Sequence, residues 1–328
     1  MKSKKENKNK TIFSKRYYAL ALDPIHIGTG GMRLGRVDLP ILREPGTNLP
    51  KIPGSTINGC ARSATATAFN KRECAGSGGE GGKHHCGKVS PACEICIPFG
   101  FSKGSEGSLR GLAQFYDARI LFFPVASIVG PIWITCPTEM NELSKLTSIT
   151  ELEDGFIPIG SQLQSQDQLN FGWLLLERLS NESHNLNTDE IKLNIPPTIP
   201  ELIKQKSVLV SEKLFAAIIN SNLEVRTSIS IDPDSGATEE GALFTFEAIP
   251  RSTIFQFDVI YNSGVNFKIG GKELKDQNNS IITSEWVRQK VERGMNNFET
   301  LGIGGMNTRG MGRVRILNLN QGGGNSDL

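Results

Sequence analysis

Three groups of residues could carry chemistry. Asp38 stands in an extended Val-Asp-Leu-Pro-Ile run that follows the glycine-rich turn Gly28–Gly31. Pro40 cannot donate a backbone hydrogen bond and Val37 sits poorly in a helix, so Asp38 is predicted on a loop or strand edge. Shortly after it comes Pro53-Gly54-Ser55-Thr56, which reads as a helix entry. Ser55 or Thr56 is predicted as the cap, with Ile57, Cys60, Ala61, Ala64 and Ala68 at helical spacing behind it. Free N–H groups at a helix start bind anions. A lone Asp is more often a turn-capping residue, and Ser-Thr more often a simple cap. Together they place one carboxylate beside a phosphate cradle, a layout suited to holding a nucleic-acid backbone and acting on it.

The second group is Cys74, His84, His85, Cys86, Cys93 and Cys96. Cys93-x-x-Cys96 is a knuckle, and zinc takes four N/S ligands in a tetrahedron. The intervening glycine-rich stretch cannot build a core, and a structural metal would stabilise it. Cys86 is favoured as the fourth ligand beside Cys74, Cys93 and Cys96, with His84 and His85 as alternatives. Cys60 and Cys136 stand in apolar surroundings and read as small core residues. The third group is Leu301–Arg313, where glycines alternate with Asn307, Arg309 and Arg313 and would let backbone N–H groups approach phosphates. It lacks the Gly-Lys-Ser/Thr ending of a nucleotide-binding P-loop and is no dinucleotide fingerprint.

The elements that must position these residues follow from pattern. The 328-residue chain carries a net charge of +2, so any basic surface must be local. No apolar run approaches the ~20 residues of a membrane span, and the first residues have no signal-peptide core, so a cytoplasmic protein is expected. Residues 1–16 carry seven basic residues and one acid and are expected to form a disordered tail. Strands are predicted at Tyr17–Asp23, Ala113–Val125, Ile128–Thr135, Thr253–Tyr261 and Val314–Leu317. Helices are predicted at Ser207–Ile219 and Ser284–Phe298. His26, between the first strand and the glycine turn, could act near reacting atoms or simply pack there. Asp117 and Arg119 are expected to form a structural ion pair. Leu223–Pro250 reads as a long hairpin around Asp232-Pro233-Asp234-Ser235-Gly236. Residues 137–205 are polar and weakly periodic and are expected to hold short helices and variable loops. This order fits an α+β fold with a ferredoxin-like or RRM-like βαββαβ core and insertions. The expected organisation is a single domain over 17–320 with a zinc-binding insertion at 70–100, a variable insertion at 137–205, a hairpin at 223–250 and a disordered tail at 321–328.

Several blocks resemble the RAMP superfamily of CRISPR proteins. Leu301–Ile316 (LGIGGMNTRGMGRVRI) looks like that superfamily's glycine-rich signature loop. The blocks HIGTGGMRLGRVDLPILRE, LPKIPGSTINGCAR, YDARILFFPVASIVGPIWITCP and RTSISIDPDSGATEEGALFTFEAIP are similar to the backbone subunit of type III-B (Cmr-type) effector complexes. Asn58 stands where that family often has a basic residue, Ala126 where an Arg is common, and the cysteine-rich insertion is more typical of type III-A subunits. The resemblance implies copies stacking along a CRISPR guide RNA beside other complex subunits. It makes the Leu223–Pro250 hairpin a thumb that flips a base, and Asp38 the residue that cuts paired target RNA at regular intervals. His26 and Glu247 become candidate assistants. RNA contacts would come from Lys51, Gly54, Ser55, Thr56, Asn58, Arg62, Arg226, Gly304, Gly305, Asn307 and Arg309. Cleavage would draw on a divalent cation such as Mg2+, with structural Zn2+ at the cysteines. The rival expectations are a non-catalytic guide-binding scaffold and a zinc-stabilised RNA-binding module outside CRISPR.

Overall fold

The computed structural model describes residues 11–30, 37–76, 85–104, 107–144, 152–180, 191, 194–229, 231, 234–237 and 243–319. The expected disordered segment 321–328 and residues 1–10 lie outside them. The elements used below are β1 (Ile12–Ala21), α1 (Gly54–Ala68), β2 (Ala118–Val125), β3 (Ile132–Thr135), β4 (Ser207–Val210), α2 (Glu212–Ser221), β5 (Glu224–Ser228), β6 (Phe244–Ala248), β7 (Ile254–Asn262), α3 (Ser284–Met295) and β8 (Val314–Ile316).

One mixed sheet organises the chain, in the order β8-β1-β7-β2-β3-β4 with Phe156–Pro158 at its far edge. β1 runs antiparallel to β7 and β8, β7 to β2, and β2 to β3, whereas β4 is parallel to β3. Alternation sorts the side chains between two faces. Tyr17, Ala19 and Ala21 of β1 with Phe255, Phe257, Val259 and Tyr261 of β7 join the core under α1 and α3, to which the helices bring Ile57, Ala61, Ala64, Val287, Val291 and Met295. Tyr18, Leu20 and Ile254 face the opposite side. A bulge in the β2–β7 register switches the parity of β2, so that Ile120 and Phe123 face the helices while Leu121 and Phe122 face away.

The two helices cross closely. A Cβ on Gly294 would lie 2.0 Å from Thr65 Oγ1 and 2.9 Å from the Ala61 carbonyl oxygen. No small side-chain movement clears a backbone oxygen. Gly294→Ala should therefore cost about 1–3 kcal/mol through overpacking, read as a lower melting temperature. An unchanged melting temperature would mean that the helices separate freely.

Three expectations are corrected. The basic N-terminal stretch is ordered from Ile12: β1 pairs Ile12 with Asn262, the Phe13 ring meets the Tyr261 ring at 5.4 Å and a 40° tilt, and the charges find partners across the sheet. Lys15 Nζ donates to Glu292 Oε1 at 2.6 Å and Arg16 pairs with Asp258 at 2.8 Å. Basic content suggested a solvated tail, but acids on distant elements compensate it. Second, Ser207–Val210 is a strand, and only Glu212–Ser221 is helical, with Ser211 Oγ accepting from the Leu214 N–H. The β-branched Val208 and Val210 favour a buried strand slot. Third, 137–205 is more than loops. It supplies the edge strand Phe156–Pro158, a second hairpin (Gln168–Phe171 with Leu174–Glu177), and a core of Met140, Leu152, Ile159, Ile191, Ile195, Ile199 and Ile203 over the outer sheet face. No described helix is long and apolar enough to cross a membrane.

Candidate functional site

Asp38 is placed by strand-like docking. Leu39 donates its N–H to the Thr245 carbonyl oxygen at 3.0 Å, and Glu247 donates its own to the Leu39 carbonyl oxygen at 3.1 Å, so residues 37–41 run beside β6. On the other side Leu42 donates to the Ile27 carbonyl oxygen at 2.8 Å. Pro40, which has no N–H, falls in the gap between these bonds. The half-buried Asp38 then turns its carboxylate onto β6. Its Oδ2 accepts from the Thr245 N–H at 2.7 Å and from the Thr245 hydroxyl at 2.9 Å. The backbone N–H first and the hydroxyl second hold this carboxyl below the usual carboxylate range. Asp38 is therefore ionised at neutral pH, and its Oδ1 takes no hydrogen bond among the described residues.

A small separate core binds this segment to the two other candidate regions. Phe246, Ala248 and Met311 are buried together, with Leu39, Phe244 and Met306 packed against them. Those six side chains come from the Asp38 segment, β6 and the glycine-rich loop. Arg309 lies over the Phe244 ring at 5.4 Å and reaches Ser228 Oγ at 3.4 Å. Gly304 has φ +76°, and a Cβ there would lie 2.6 Å from the His26 carbonyl oxygen, which also accepts the Gly305 N–H at 2.9 Å. Only glycine fits that approach. Asn307 closes the loop from within by donating Nδ2 to the Leu301 carbonyl oxygen at 2.8 Å.

His26 and Glu247 are both committed here. His26 is 5% exposed, and its Nδ1 lies 2.6 Å from the Glu247 carbonyl oxygen. That partner can only accept, so Nδ1 carries the proton. The ring meets Phe246 edge-on at 6.0 Å. The buried Glu247 carboxylate receives Arg43 Nη2 at 2.9 and 3.0 Å and the Ile41 N–H at 3.3 Å. These contacts tie the strand after Asp38 to the hairpin. Among the described residues, no hydrogen bond joins either side chain to the Asp38 carboxylate.

The start of α1 differs from its expected capping. Pro53 occupies the cap position without a side-chain bond, and Ser55 and Thr56 lie inside the first turn, Ser55 exposed. Asp117 caps the helix from a distance: Oδ1 accepts the Gly54 N–H at 2.8 Å and Oδ2 accepts Lys51 Nζ at 2.6 Å. Burial raises the Asp117 carboxyl, but Lys51 and Gly54 outweigh it and the group stays below the usual range. Asp117 thus serves the helix, while Arg119 reaches Glu139 at 3.7 Å. A Cβ on Gly54 would lie 2.3 Å from the Phe115 carbonyl oxygen, which is why the helix must begin with glycine. One turn on, Cys60 is half-buried with its thiol pushed up by burial and lowered slightly by the backbone of Gly304, so this helix face lies near the glycine-rich loop. Asn58 is half-buried on the same turns.

Two arginines expected at the RNA sit otherwise. Arg226, on β5, is paired with Glu224. Arg62 points to the cysteines: Nε donates to the Cys74 carbonyl oxygen at 2.9 Å, Nη1 to the Gly100 carbonyl oxygen at 2.9 Å, and Nη2 lies 3.0 Å from His85 Nδ1. The hairpin itself pairs Glu224 with Ala248 and Ser228 with Phe244, and exposes Val225, Ile229, Ile231 and Leu243. Its turn residues Asp232 and Pro233 lie outside the described residues.

The four sulfurs of Cys74, Cys86, Cys93 and Cys96 lie within 4.8 Å of one another. Cys86–Cys96 and Cys93–Cys74 are separated by 3.8 and 3.9 Å, close to the ~3.8 Å edge of a tetrahedron with ~2.3 Å zinc–sulfur bonds. The Cys96 N–H points at Cys93 Sγ at 3.5 Å, as a knuckle requires. This donor set could hold a metal ion. His85 is turned to Arg62, and His84 lies outside the described residues.

Thr245, Arg43 and Asp117 complete the site and were not legible as functional residues. Thr245 stands in an ordinary alternating run. Arg43 and Asp117 have partners more than sixty positions away in sequence.

A family model described as RAMP superfamily matches residues 19–315. The chain is 26% identical over 304 residues to the CRISPR system Cmr endoribonuclease Cmr4 of Pyrococcus furiosus, a match spanning 85% of this chain and 96% of that protein. It is 38% identical over 86 residues to the CRISPR system Cms endoribonuclease Csm3 of Methanothermobacter thermautotrophicus, covering 26% of this chain and 31% of that protein. Among solved structures, the type III-B Cmr-beta complex in the apo state contains a chain with TM-score 0.62 at 19% identity, covering 93% of this chain and 96% of that one. Oligomeric Cmr4 from Pyrococcus furiosus gives TM-score 0.57 at 19% identity over 94% of this chain and 100% of that one. The structural likenesses speak to the fold.

Proposed function

The chain belongs to the RAMP superfamily, and from that premise we propose that it is the backbone subunit of a type III CRISPR effector complex, of the type III-B kind, which stacks along a guide RNA and cleaves paired target RNA. The single observation that carries the catalytic half is Asp38: ionised, held by one oxygen, with the other oxygen unengaged among the described residues at the base of the hairpin. The strand order β8-β1-β7-β2, with α1 and α3 on one face, supports reading the centre of the molecule as the ferredoxin-like core.

In this reading the hairpin's exposed apolar residues press between bases and unstack one nucleotide. Freed from A-form geometry, that nucleotide can bring its 2′-hydroxyl in line with its own phosphate. Asp38 takes the 2′-hydroxyl proton as the 2′-oxygen bonds to phosphorus. The bond from phosphorus to the 5′-oxygen breaks, and that oxygen takes a proton from water, leaving a cyclic phosphate and a 5′-hydroxyl. In place of that proton transfer from the 2′-hydroxyl, Asp38 Oδ1 would be the oxygen this chain offers a divalent cation such as Mg2+, which would supply Lewis-acid charge to the phosphate. Sequence is read by guide pairing.

Guide contact falls to the first turn of α1 and the glycine-rich loop, with Ser55, Asn58 and the Gly304–Gly305 backbone on adjoining surfaces. Lys51 and the Gly54 N–H meet a phosphate only alongside Asp117. Arg62 holds the cysteine lobe, and His26 and Glu247 hold the hairpin base. The four cysteines fit Zn2+ as a structural ion that ties the segments around Cys74, Cys86 and Cys93–Cys96 together. The domain runs from Ile12 instead of residue 17, and the site of action is the cytoplasm.

The test is cleavage of an end-labelled RNA complementary to the guide by the assembled complex. A ladder of evenly spaced products is expected. Tight target binding without cleavage would make the subunit a scaffold.

A further inference from the structure

Thr245 belongs to the hairpin strand β6, yet its backbone N–H and its hydroxyl both end on the same oxygen of Asp38, at 2.7 and 2.9 Å. The contact is reciprocal, because the Asp38 N–H donates to Thr245 Oγ1 at 3.1 Å. One residue therefore fixes the backbone and the side chain of Asp38 together. A carboxylate bound through one oxygen by two donors cannot rotate about its χ2 without losing both. Its second oxygen then has a defined direction.

We propose that Thr245 is a positioning residue for target cleavage, which aims the free oxygen of Asp38 and makes that aim depend on the seating of the hairpin. The inference rests on the proposed role of Asp38. It adds that the element which unstacks the nucleotide also sets the carboxylate that acts on it. Thr245 lies between Phe244 and Phe246, whose rings are anchored to Arg309, Leu39 and Met311, so β6 is held on both sides of it. Across the hairpin it pairs with Thr227. A displacement of the hairpin would move Thr245, and Asp38 with it.

The experiment uses assembled complex carrying Thr245→Val, Thr245→Ser or Asp38→Ala, with single-turnover cleavage followed across pH and target binding measured in parallel. Valine keeps the backbone N–H and removes the hydroxyl at nearly constant shape. Single-turnover cleavage by Thr245→Val should fall about tenfold, with target affinity unchanged. Its acid limb should move to higher pH. The hydroxyl lowers the Asp38 pKa, so its loss lets protonation remove the base at a higher pH. Among the described residues, the charged groups on the neighbouring elements are Arg43 with Glu247, Glu224 with Arg226, and Arg309, and none is altered. Serine should restore most of the rate and the wild-type limb, an outcome that mere packing of the threonine methyl would not give. If Asp38→Ala abolishes cleavage while Thr245→Val matches wild type in rate and pH profile, the positioning role is wrong and the role of Asp38 stands. If Asp38→Ala still cleaves, the catalytic assignment itself fails.

Discussion

Replacing Asp38 by Ala in the assembled complex is expected to remove target cleavage while leaving guide assembly and target binding in place. General base catalysis by a positioned group contributes about 10²–10⁴-fold, so the variant should fall to roughly a hundredth of the wild-type rate or lower. The binding surfaces proposed for RNA lie on α1 and the glycine-rich loop, not on this side chain, and for that reason affinity should survive. Asp38→Asn is the sharper variant. Asparagine can still accept from Thr245 through its carbonyl oxygen, which preserves the local fold, but it has no anionic oxygen to take a proton or hold a cation. Equal loss in both variants would locate the effect in the charge. Survival of cleavage in both would place the chemistry on another group or another subunit.

The second large effect is expected on removing metal from the cysteine lobe. Purified protein prepared without chelator should carry about one equivalent of zinc, as four converging cysteine sulfurs imply. Binding free energies of structural zinc run to about 10–16 kcal/mol in small zinc-dependent peptides, and such binding is coupled to folding. Cys93→Ser, or exhaustive chelation, should therefore cost several kcal/mol and lower the melting temperature by roughly 10 °C. The loss should be felt at α1 as well, because Arg62 bridges that helix to the Cys74 and Gly100 carbonyl oxygens. Protein with no bound metal and an unshifted melting temperature in Cys93→Ser would refute a structural zinc.

Much of the site was legible because its signals are local. The Pro40 gap and the Val-Asp-Leu context put Asp38 on an extended segment, and the structure places it beside β6. The helix beginning at Gly54 and the hairpin ending at Ala248 follow from periodicity and turn chemistry in adjacent residues. What escaped depends on partners far away in sequence. Lys15 and Arg16 look like a solvated tail until Glu292 and Asp258 are seen across the sheet. Arg62 looks like a phosphate ligand until the cysteine lobe folds onto it. The isoleucines at 191, 195, 199 and 203 recur every four residues, but Pro196, Pro197 and Pro200 break any helix that spacing would suggest, and only the fold shows that they bury a second core. Thr245 is the plainest case. Its type and spacing are those of any strand residue, and only the docking of residue 38 gives it a task.

The order of the central sheet also governs how the protein is born. β1 is threaded early, yet its two neighbours are residues 254–262 and 314–316. On a ribosome, the middle of the sheet stays open until residue 262 has emerged, and the far side of β1 until residue 316. Until then the apolar face of Tyr17, Ala19 and Ala21 stays uncovered, and pairings so distant along the chain form slowly and leave intermediates prone to aggregate. The central sheet of a subunit with this topology closes only after residues 254–262 and 314–316 have been made, so a copy without them lacks both neighbours of β1.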